Sequence, residues 1–195
     1  MTVRWFVLPD MTDKFIVFIT GASGVGKTTL LENLRAKYGV SEKWEFLKFD
    51  SVGVPSGEEM IRDFGSGENW QRQTTFEWID KMVNRYPDKE LIIMDGQVNL
   101  DFIISGFENR KFRNYQIVLI DCSQETMVRR LIDERQQAWL AGEDMKNWLK
   151  FLRDQADRCG TQIIDTTSID KQETVARFEV ILEKAGYRSI WGEVT

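Results

Sequence analysis

Residues 21–28 read GASGVGKT, a pattern G-x-x-x-x-G-K-[ST] in which three glycines precede a lysine and a hydroxyl residue. Glycines allow the backbone to curl until consecutive N–H groups point at one anion, and a helix that begins directly afterwards adds a favourable dipole. The apolar segment FIVFIT precedes the pattern and the amphipathic segment TTLLENLRAKYG follows it. This is the strand-to-helix context that the pattern requires, so the sequence predicts a phosphate cradle rather than a glycine-rich turn that binds nothing.

Two side chains of this cradle have predicted roles toward a nucleoside triphosphate. Lys27 is expected to reach the β- and γ-phosphates, where it also assists phosphoryl transfer, and the Thr28 hydroxyl is expected to ligate Mg²⁺. The residues predicted to hold the nucleotide phosphates are Gly21, Ala22, Ser23, Gly24, Val25, Gly26, Lys27, Thr28 and Thr29.

A cradle of this kind also needs a second oxygen ligand near the metal. The apolar segment LIIMD ends in Asp95, and Gly96 follows it with room for a turn. The segment YQIVLID ends in the same way at Asp121. Because an aspartate that closes a strand is often only a turn former, the sequence favours the metal role for Asp95 and the turn role for Asp121, where Asp121, Cys122 and Ser123 would cap the next helix.

Asp50 is the predicted general base. It ends the segment WEFLKFD, and a helix with a capping box, Ser56 with Glu59, begins shortly after it. A carboxylate at the carboxyl end of a strand faces the crevice where ligands bind in open α/β sheets. There it would accept the proton that a hydroxyl loses as it attacks the γ-phosphate. A turn aspartate is the alternative.

Composition excludes several other kinds of chemistry and partner. The 195 residues contain 26 Lys plus Arg against 31 Asp plus Glu, so a net charge of −5 argues against binding to nucleic acid or to an anionic membrane. The chain has no histidine, which excludes the usual zinc sites and Ser-His or Cys-His nucleophile pairs. Cys122 and Cys159 form no CxxC pair, and no apolar run approaches the roughly 18 residues of a membrane span. We therefore expect a cytoplasmic protein.

Strands and helices alternate along the chain to position these residues. Short apolar segments without helical spacing predict five strands, Phe15–Thr20, Trp44–Asp50, Leu91–Asp95, Tyr115–Asp121 and Gln162–Asp165. The segments between them have 3.6-residue spacing, as at Thr75, Trp78, Ile79 and Met82, and Ser123 is placed to cap a helix. The predicted fold class is a three-layer α/β/α domain with a five-stranded, mostly parallel sheet. With no linker or repeat in the sequence, residues 1–195 are expected to form one domain.

The order of these features resembles the small P-loop kinases, which include nucleoside monophosphate kinases, shikimate and gluconate kinases and chloramphenicol phosphotransferase. The resemblance extends from Phe15 to Gly186 and rests on the P-loop, the strand-ending Asp50, LIIMDG, the arginine-bearing MVRRLIDER and the late QIIDTT. It implies ATP and Mg²⁺ as cofactors, with Asp95 at the Walker-B position.

The same resemblance implies a helical lid at about residues 129–150. In it, Arg129 would contact the nucleotide, and Arg130 and Arg135 would stabilise the transferring charge. The turn with Thr166 and Thr167 would lie beside the adenine ring. Any single arginine on a surface helix is equally compatible with a solvated pair to glutamate, so only the cluster supports the assignment.

The acceptor is not identified by any motif. The sequence has no N-K-x-D motif, no D-x-x-G after the Walker-B strand and no D-R-S motif, and the arginine-rich segment that reads GMP is not recognisable. In DFGSGENWQRQ, two glycines could let a substrate flap move. The predicted acceptor-site residues, besides Asp50, are Arg62, Trp70 as a stacking platform, Arg72 as an anion clamp, and Gln97.

Three functions remain open from the sequence. The first is an ATP-dependent kinase that phosphorylates a small hydroxyl or nucleotide phosphate acceptor. The second is a P-loop ATPase or nucleotide-binding switch without a small-molecule acceptor, and the third is a protein that holds a nucleotide only for structure. The arginine-rich segment, already present in the chain, argues against the switch, and acceptor-dependent ADP release separates the first function from the others. The oligomeric state is not indicated.

Overall fold

A computed structural model describes residues 14–187 and has a five-stranded sheet at its centre. The strand order is β2-β3-β1-β4-β5, and all pairings among the described residues are parallel. The strands are β1 (Phe15–Thr20), β2 (Trp44–Lys48), β3 (Leu91–Asp95), β4 (Tyr115–Asp121) and β5 (Gln162–Asp165). The predicted α/β fold class is confirmed.

Helices cover both faces of this sheet. The α-helices of the described residues are α1 (Lys27–Tyr38), α2 (Gly57–Phe64), α3 (Gly67–Asn84), α4 (Leu100–Asn109), α5 (Gln124–Arg129), α6 (Glu143–Cys159) and α7 (Lys171–Lys184). In β1, Phe15, Val17 and Ile19 belong to the apolar cluster under α1 and α7, whereas Ile16 and Phe18 belong to the cluster under α3 and α4. Successive side chains of a strand point to opposite faces, so this alternation gives the three layers.

The second strand is shorter than the sequence predicted. β2 ends at Lys48, and Phe49–Val52 form a short 3-10 helix instead of continuing to Asp50. The reason is a tertiary contact, because the buried Phe49 carbonyl accepts a hydrogen bond from Trp78 Nε1 at 3.1 Å. Asp50 therefore lies on a turn beyond the strand end.

The glycines at positions 65 and 67 lie in a compact helix-to-helix turn, and movement of this segment as a substrate flap stays a prediction. Gly65 ends α2 with a φ of 80°, in the left-handed region that glycine tolerates best, and its N–H donates to the Ile61 carbonyl. Ser66 then caps α3 by accepting the Asn69 N–H at 3.1 Å. The predicted capping box of Ser56 and Glu59 begins α2.

Asp121 pairs with Arg153 and does not act as a turn former, which corrects the prediction for this residue. The residue is 6% exposed, and its carboxylate accepts two hydrogen bonds from the Arg153 guanidinium of α6, at 2.7 Å and 3.0 Å. Ser123 alone caps α5, by accepting the Thr126 N–H. The ion pair attaches α6 to the end of β4.

We expect that replacing Arg153 with leucine lowers the free energy of unfolding by about 1–3 kcal/mol, because the buried Asp121 loses a bidentate charged partner. Urea denaturation measures this. Arg177→Leu is the matched control, since Arg177 pairs with Glu173 on α7 with both side chains about half exposed, and it should change stability by about 0.5 kcal/mol or less. Equal effects of the two changes would contradict a structural role for the Asp121 pair.

The predicted lid segment contains little regular α-helix before α6. α5 continues into a π-helical turn, Arg130–Glu134, and a 3-10 turn, Ala138–Leu140, precedes α6. Trp139 in this segment is 75% exposed. Separately, the described residues contain no helix with the length and apolar character of a membrane span.

Candidate active site

The glycine-rich loop has the backbone shape that the sequence predicted for residues 21–28. Gly26, directly before α1, has a φ of 110°, and Gly24 has a φ of 82°, both in a region unfavourable for other residues. Gly21 contacts the sheet so closely that a Cβ there would lie 2.3 Å from the Ile120 carbonyl oxygen. Glycine is therefore required at these positions by geometry, and the loop leads directly into the first turn of α1.

Lys27 lies at the centre of the site. Its ammonium donates to the Ala22 carbonyl within the loop, at 2.8 Å. Burial lowers the pKa of Lys27 to about 8, while the charges of Asp95 and Asp50 oppose the shift and that of Arg135 adds to it. Side chains from three separate segments thus act on one ammonium group, and all three are sequence-predicted site residues, as is Lys27 itself.

Thr28 and Asp95 meet as the metal prediction requires. The Thr28 hydroxyl donates to Asp95 Oδ2 at 2.9 Å, and Asp95 is 5% exposed. Burial raises the pKa of Asp95, and the Thr28 hydrogen bond and the Lys27 charge oppose this effect. A hydroxyl and a carboxylate are hard oxygen donors, and Mg²⁺ in phosphate sites takes one or two such ligands together with water and substrate phosphates. These two residues therefore fit Mg²⁺.

A cavity of about 450 Å³ lies beside the loop and is large enough for a nucleotide. Residues from the glycine-rich loop, the arginine-rich segment and the start of α7 surround it. They include residues 24–30, Arg129, Arg130, Arg135, Thr166, Ile169, Asp170, Lys171 and Thr174. The structure thus brings the predicted P-loop residues Gly24 to Thr29 together with the three predicted arginines and Thr166.

Arg130 joins the arginine-rich segment to the phosphate loop. Its guanidinium donates to the Val25 carbonyl at 3.2 Å and to Thr166 Oγ1 and the Thr166 carbonyl at 2.9 Å and 2.8 Å. Thr166 Oγ1 in turn donates to the Val25 carbonyl at 2.8 Å. The protein itself therefore binds the guanidinium of Arg130, the arginine predicted with Arg135 to stabilise the transferring charge.

The other arginines and Thr167 occupy different positions. Arg129 lines the cavity with a half-exposed side chain, 3.8 Å from Glu134. Arg135 lines the cavity and acts on the Lys27 pKa. Thr167 is exposed and instead accepts the Ser123 N–H at 2.8 Å, so it links the ends of β4 and β5. Of the two predicted threonines, Thr166 is the one at the cavity.

Asp50 lies near Lys27 but is not among the residues that surround this cavity. It belongs to the 3-10 helix Phe49–Val52, is exposed, and is close enough that its charge acts on the pKa of both Lys27 and Asp95. The buried side chain of Phe49 anchors this helix, so the backbone that carries the Asp50 carboxylate is held in place. Asp50 is available to a ligand because Asp95, and not Asp50, pairs with Thr28.

The remaining predicted acceptor residues are dispersed. Arg62 is exposed and forms two 2.7 Å hydrogen bonds with its neighbour Asp63. Trp70 is 9% exposed and packs edge-on against Phe49, so most of its ring is part of the core. The Arg72 guanidinium lies over the Phe76 ring, on the wall of an open groove along α3 that Trp70 also lines. None of these contacts tests the anion-clamp role of Arg72, which stays a prediction.

Sequence reasoning missed Gln71, which faces the loop after β3. Its side-chain amide donates to the Gln97 carbonyl and accepts the Asn99 N–H, both at 3.1 Å. Gln97 is thus held through its backbone carbonyl, and the acceptor role of its side chain stays a prediction. Gln71 precedes Thr75 by one helical turn, and extending the apolar stripe of α3 backwards by four residues would have identified it.

The comparisons with known proteins agree with this geometry. Residues 17–146 match the family model described as "AAA domain", and no protein of curated function matches the sequence. Among solved structures, a shikimate kinase from Acinetobacter baumannii in complex with shikimate is similar, with a TM-score of 0.58, 18% identity and coverage of 89% of this chain and 96% of that chain. A gluconokinase from Sinorhizobium meliloti is also similar, with a TM-score of 0.62, 15% identity and coverage of 90% and 97%.

At these identities the two structures show a shared fold, whereas the family model matches two thirds of the chain by sequence. The phosphate loop, the Thr28–Asp95 pair and strands β2, β3 and β4 lie within the matched residues, whereas β5 lies beyond them. The chain belongs to the AAA domain family and has the fold of the small P-loop kinases.

Proposed function

We propose that this protein is a kinase that transfers the γ-phosphate of ATP, bound with Mg²⁺, to a hydroxyl group of a small molecule. The observation that carries the proposal is the position of Asp50. Its carboxylate lies within electrostatic range of Lys27 and Asp95 but outside the Thr28–Asp95 pair. A carboxylate beyond the phosphate loop and free of the metal pair is what a hydroxyl nucleophile requires.

In this proposal each residue has one task. The N–H groups of the loop and Lys27 bind the β- and γ-phosphates, and Thr28 and Asp95 hold Mg²⁺. The metal, when bound, would neutralise charge that develops on the phosphate oxygens. Asp50 orients the acceptor hydroxyl and accepts its proton, while Arg135 and Arg129 contribute positive charge from the cavity wall. Arg130 fixes the wall against the loop.

Acceptor-dependent ADP release tests the proposal. Purified protein with MgATP is assayed against shikimate and gluconate, which the neighbouring structures suggest, and against nucleosides, nucleotides, other sugars, and aminocyclitol and phenylpropanoid antibiotics. At least one hydroxyl compound should raise the rate of ADP release well above the rate measured without an acceptor. Mass spectrometry should detect the phosphorylated product. ADP release that no acceptor accelerates would favour the ATPase or switch function instead.

We expect turnover to require Mg²⁺ or Mn²⁺ and to stop when EDTA is added. Asp95→Asn should raise the Mg²⁺ concentration needed for half-maximal rate by about tenfold or more, because a neutral amide orders the water shell of the metal less well than a carboxylate. A magnesium titration of both proteins at saturating ATP measures this. Turnover that persists in EDTA would exclude the whole phosphoryl-transfer proposal.

A further inference from the structure

Two backbone segments border the acceptor side of the site, and neither is part of the sheet. One is the 3-10 helix Phe49–Val52, which carries Asp50 and begins after β2 has ended at Lys48. The other is the loop of residues 96–99, which follows Asp95 and carries Gln97. Since sheet hydrogen bonds do not fix these segments relative to one another, other contacts must do so.

Helix α3 holds the first segment through Phe49. Trp78 Nε1 donates to the Phe49 carbonyl at 3.1 Å, and the Trp70 ring meets the Phe49 ring edge-on at 6.2 Å between centroids. The two segments also touch directly, because a Cβ added to Gly96 would lie 2.6 Å from Phe49 Cβ. Asp50 is the next residue after the one that all these contacts immobilise.

The same helix holds the second segment through Gln71. The carboxamide of Gln71 binds the Gln97 carbonyl with its N–H and the Asn99 N–H with its oxygen, both at 3.1 Å. From the other side, Thr20 Oγ1 at the end of β1 donates to the Val98 carbonyl at 2.6 Å. The loop is therefore clamped between β1 and α3.

We infer that α3 sets the relative position of the two segments on the acceptor side of the enzyme. Gln71 and Trp78 are the positioning residues, because they hold the segments that carry Gln97 and Asp50. The inference rests on the proposed function, since it gives α3 the task of aligning the proton acceptor with the acceptor-binding loop. Neither side chain needs to touch substrate. Both act through backbone segments, and a displacement of about 1 Å in a reacting group costs up to about 10²-fold in rate.

The experiment compares Gln71→Leu, Trp78→Phe and the double variant with wild type. Leucine removes both hydrogen bonds of Gln71 at similar volume, and phenylalanine keeps an aromatic ring without the N–H. Gln73→Leu is the matched control, because Gln73 is exposed on the same helix and bonds only Glu77 among the described residues. The probes are MgATP alone in calorimetry, and MgATP with the panel compound that gives wild type its highest acceptor-dependent ADP release.

We expect each single variant to lower kcat by about 10- to 100-fold with the Kd of MgATP changed less than about twofold, and Gln73→Leu to match wild type. The double variant should lose less than the product of the two single losses, because both residues support one geometry. Hydrogen exchange of the Asn99 amide should accelerate at least about tenfold in Gln71→Leu and not in Gln73→Leu.

Three results would overturn the inference. In the first, kcat stays at the wild-type value in Gln71→Leu. In the second, kcat falls together with a matching loss of MgATP affinity, which indicates general damage to the fold. In the third, exchange of the Asn99 amide is unchanged. If wild type itself shows no acceptor-dependent ADP release, the proposed function fails and the kinetic role of α3 fails with it, whereas exchange of the Asn99 amide still decides whether Gln71 clamps the loop.

Discussion

Replacing Lys27 with alanine should lower phosphoryl transfer by about 10³-fold or more while the protein stays folded. The lysine lies at the point where the charges of Asp50, Asp95 and Arg135 act together. A positioned cation that neutralises the transferring phosphate is worth several powers of ten in rate, because it is already in place when charge develops.

Stability should change little in this variant, because the Lys27 ammonium is bonded to the Ala22 carbonyl of its own loop and the side chain is not part of either apolar cluster. The measurements are acceptor-dependent ADP release and thermal unfolding. Lys43→Ala is the control, since Lys43 forms an exposed pair with Glu90 next to the start of β2 and should be neutral in both. Undiminished turnover in folded Lys27→Ala protein would exclude the P-loop assignment.

The parts of the fold that follow from local chemistry were predicted from the sequence. Four of the five strands have the predicted bounds, because each is a short apolar run closed by a polar or turn residue, and the run determines its extent. The phosphate loop is local as well. Gly26 and Gly24 need positive φ whatever surrounds them, and α1 begins directly at Lys27.

Side chains whose role depends on a distant partner were not predictable in this way. Asp121 closes its strand like Asp95, and what distinguishes them is Arg153, which lies 32 residues along the chain. β2 ends two residues earlier than predicted because the Phe49 carbonyl accepts a hydrogen bond from Trp78, 29 residues away, instead of pairing within the sheet. One sequence contains no information on which residues meet across such distances, apart from helical periodicity.

The residues on the acceptor side of the site show most clearly that contacts between distant residues were not predictable from the sequence. The sequence predicted acceptor roles for Trp70 and Arg72, because their side chains suit stacking and anion binding. However, Gln71, which lies between them, is the residue that bonds the loop after β3. Successive helix positions differ by about 100° in direction, so the choice among three neighbours depends on how α3 is rotated against the sheet. Packing of Trp78, Ile79 and Met82 in the core sets that rotation.

Asp50→Asn should lower kcat by about 10²–10⁴-fold and leave the affinity for MgATP nearly unchanged. The range is the usual contribution of a positioned general base, and asparagine keeps the shape of the side chain while it loses proton affinity. The structure supports this separation of effects, because Asp95 bonds Thr28 in the metal pair while Asp50 stands on the 3-10 helix beyond β2. Asp88→Asn is the control, an exposed aspartate in the turn between α3 and β3.

Calorimetry of MgATP binding beside acceptor turnover distinguishes the three roles that Asp50 can have. A loss of kcat alone identifies it as the base and supports a hydroxyl acceptor. A collapse of MgATP binding would assign Asp50 to the metal and require a new role for Asp95, although the hydrogen bond from Thr28 argues for Asp95. If neither quantity changes, Asp50 is a turn residue. The proposed kinase then loses the carboxylate that, among residues 14–187, acts on Lys27 without belonging to the Thr28–Asp95 pair.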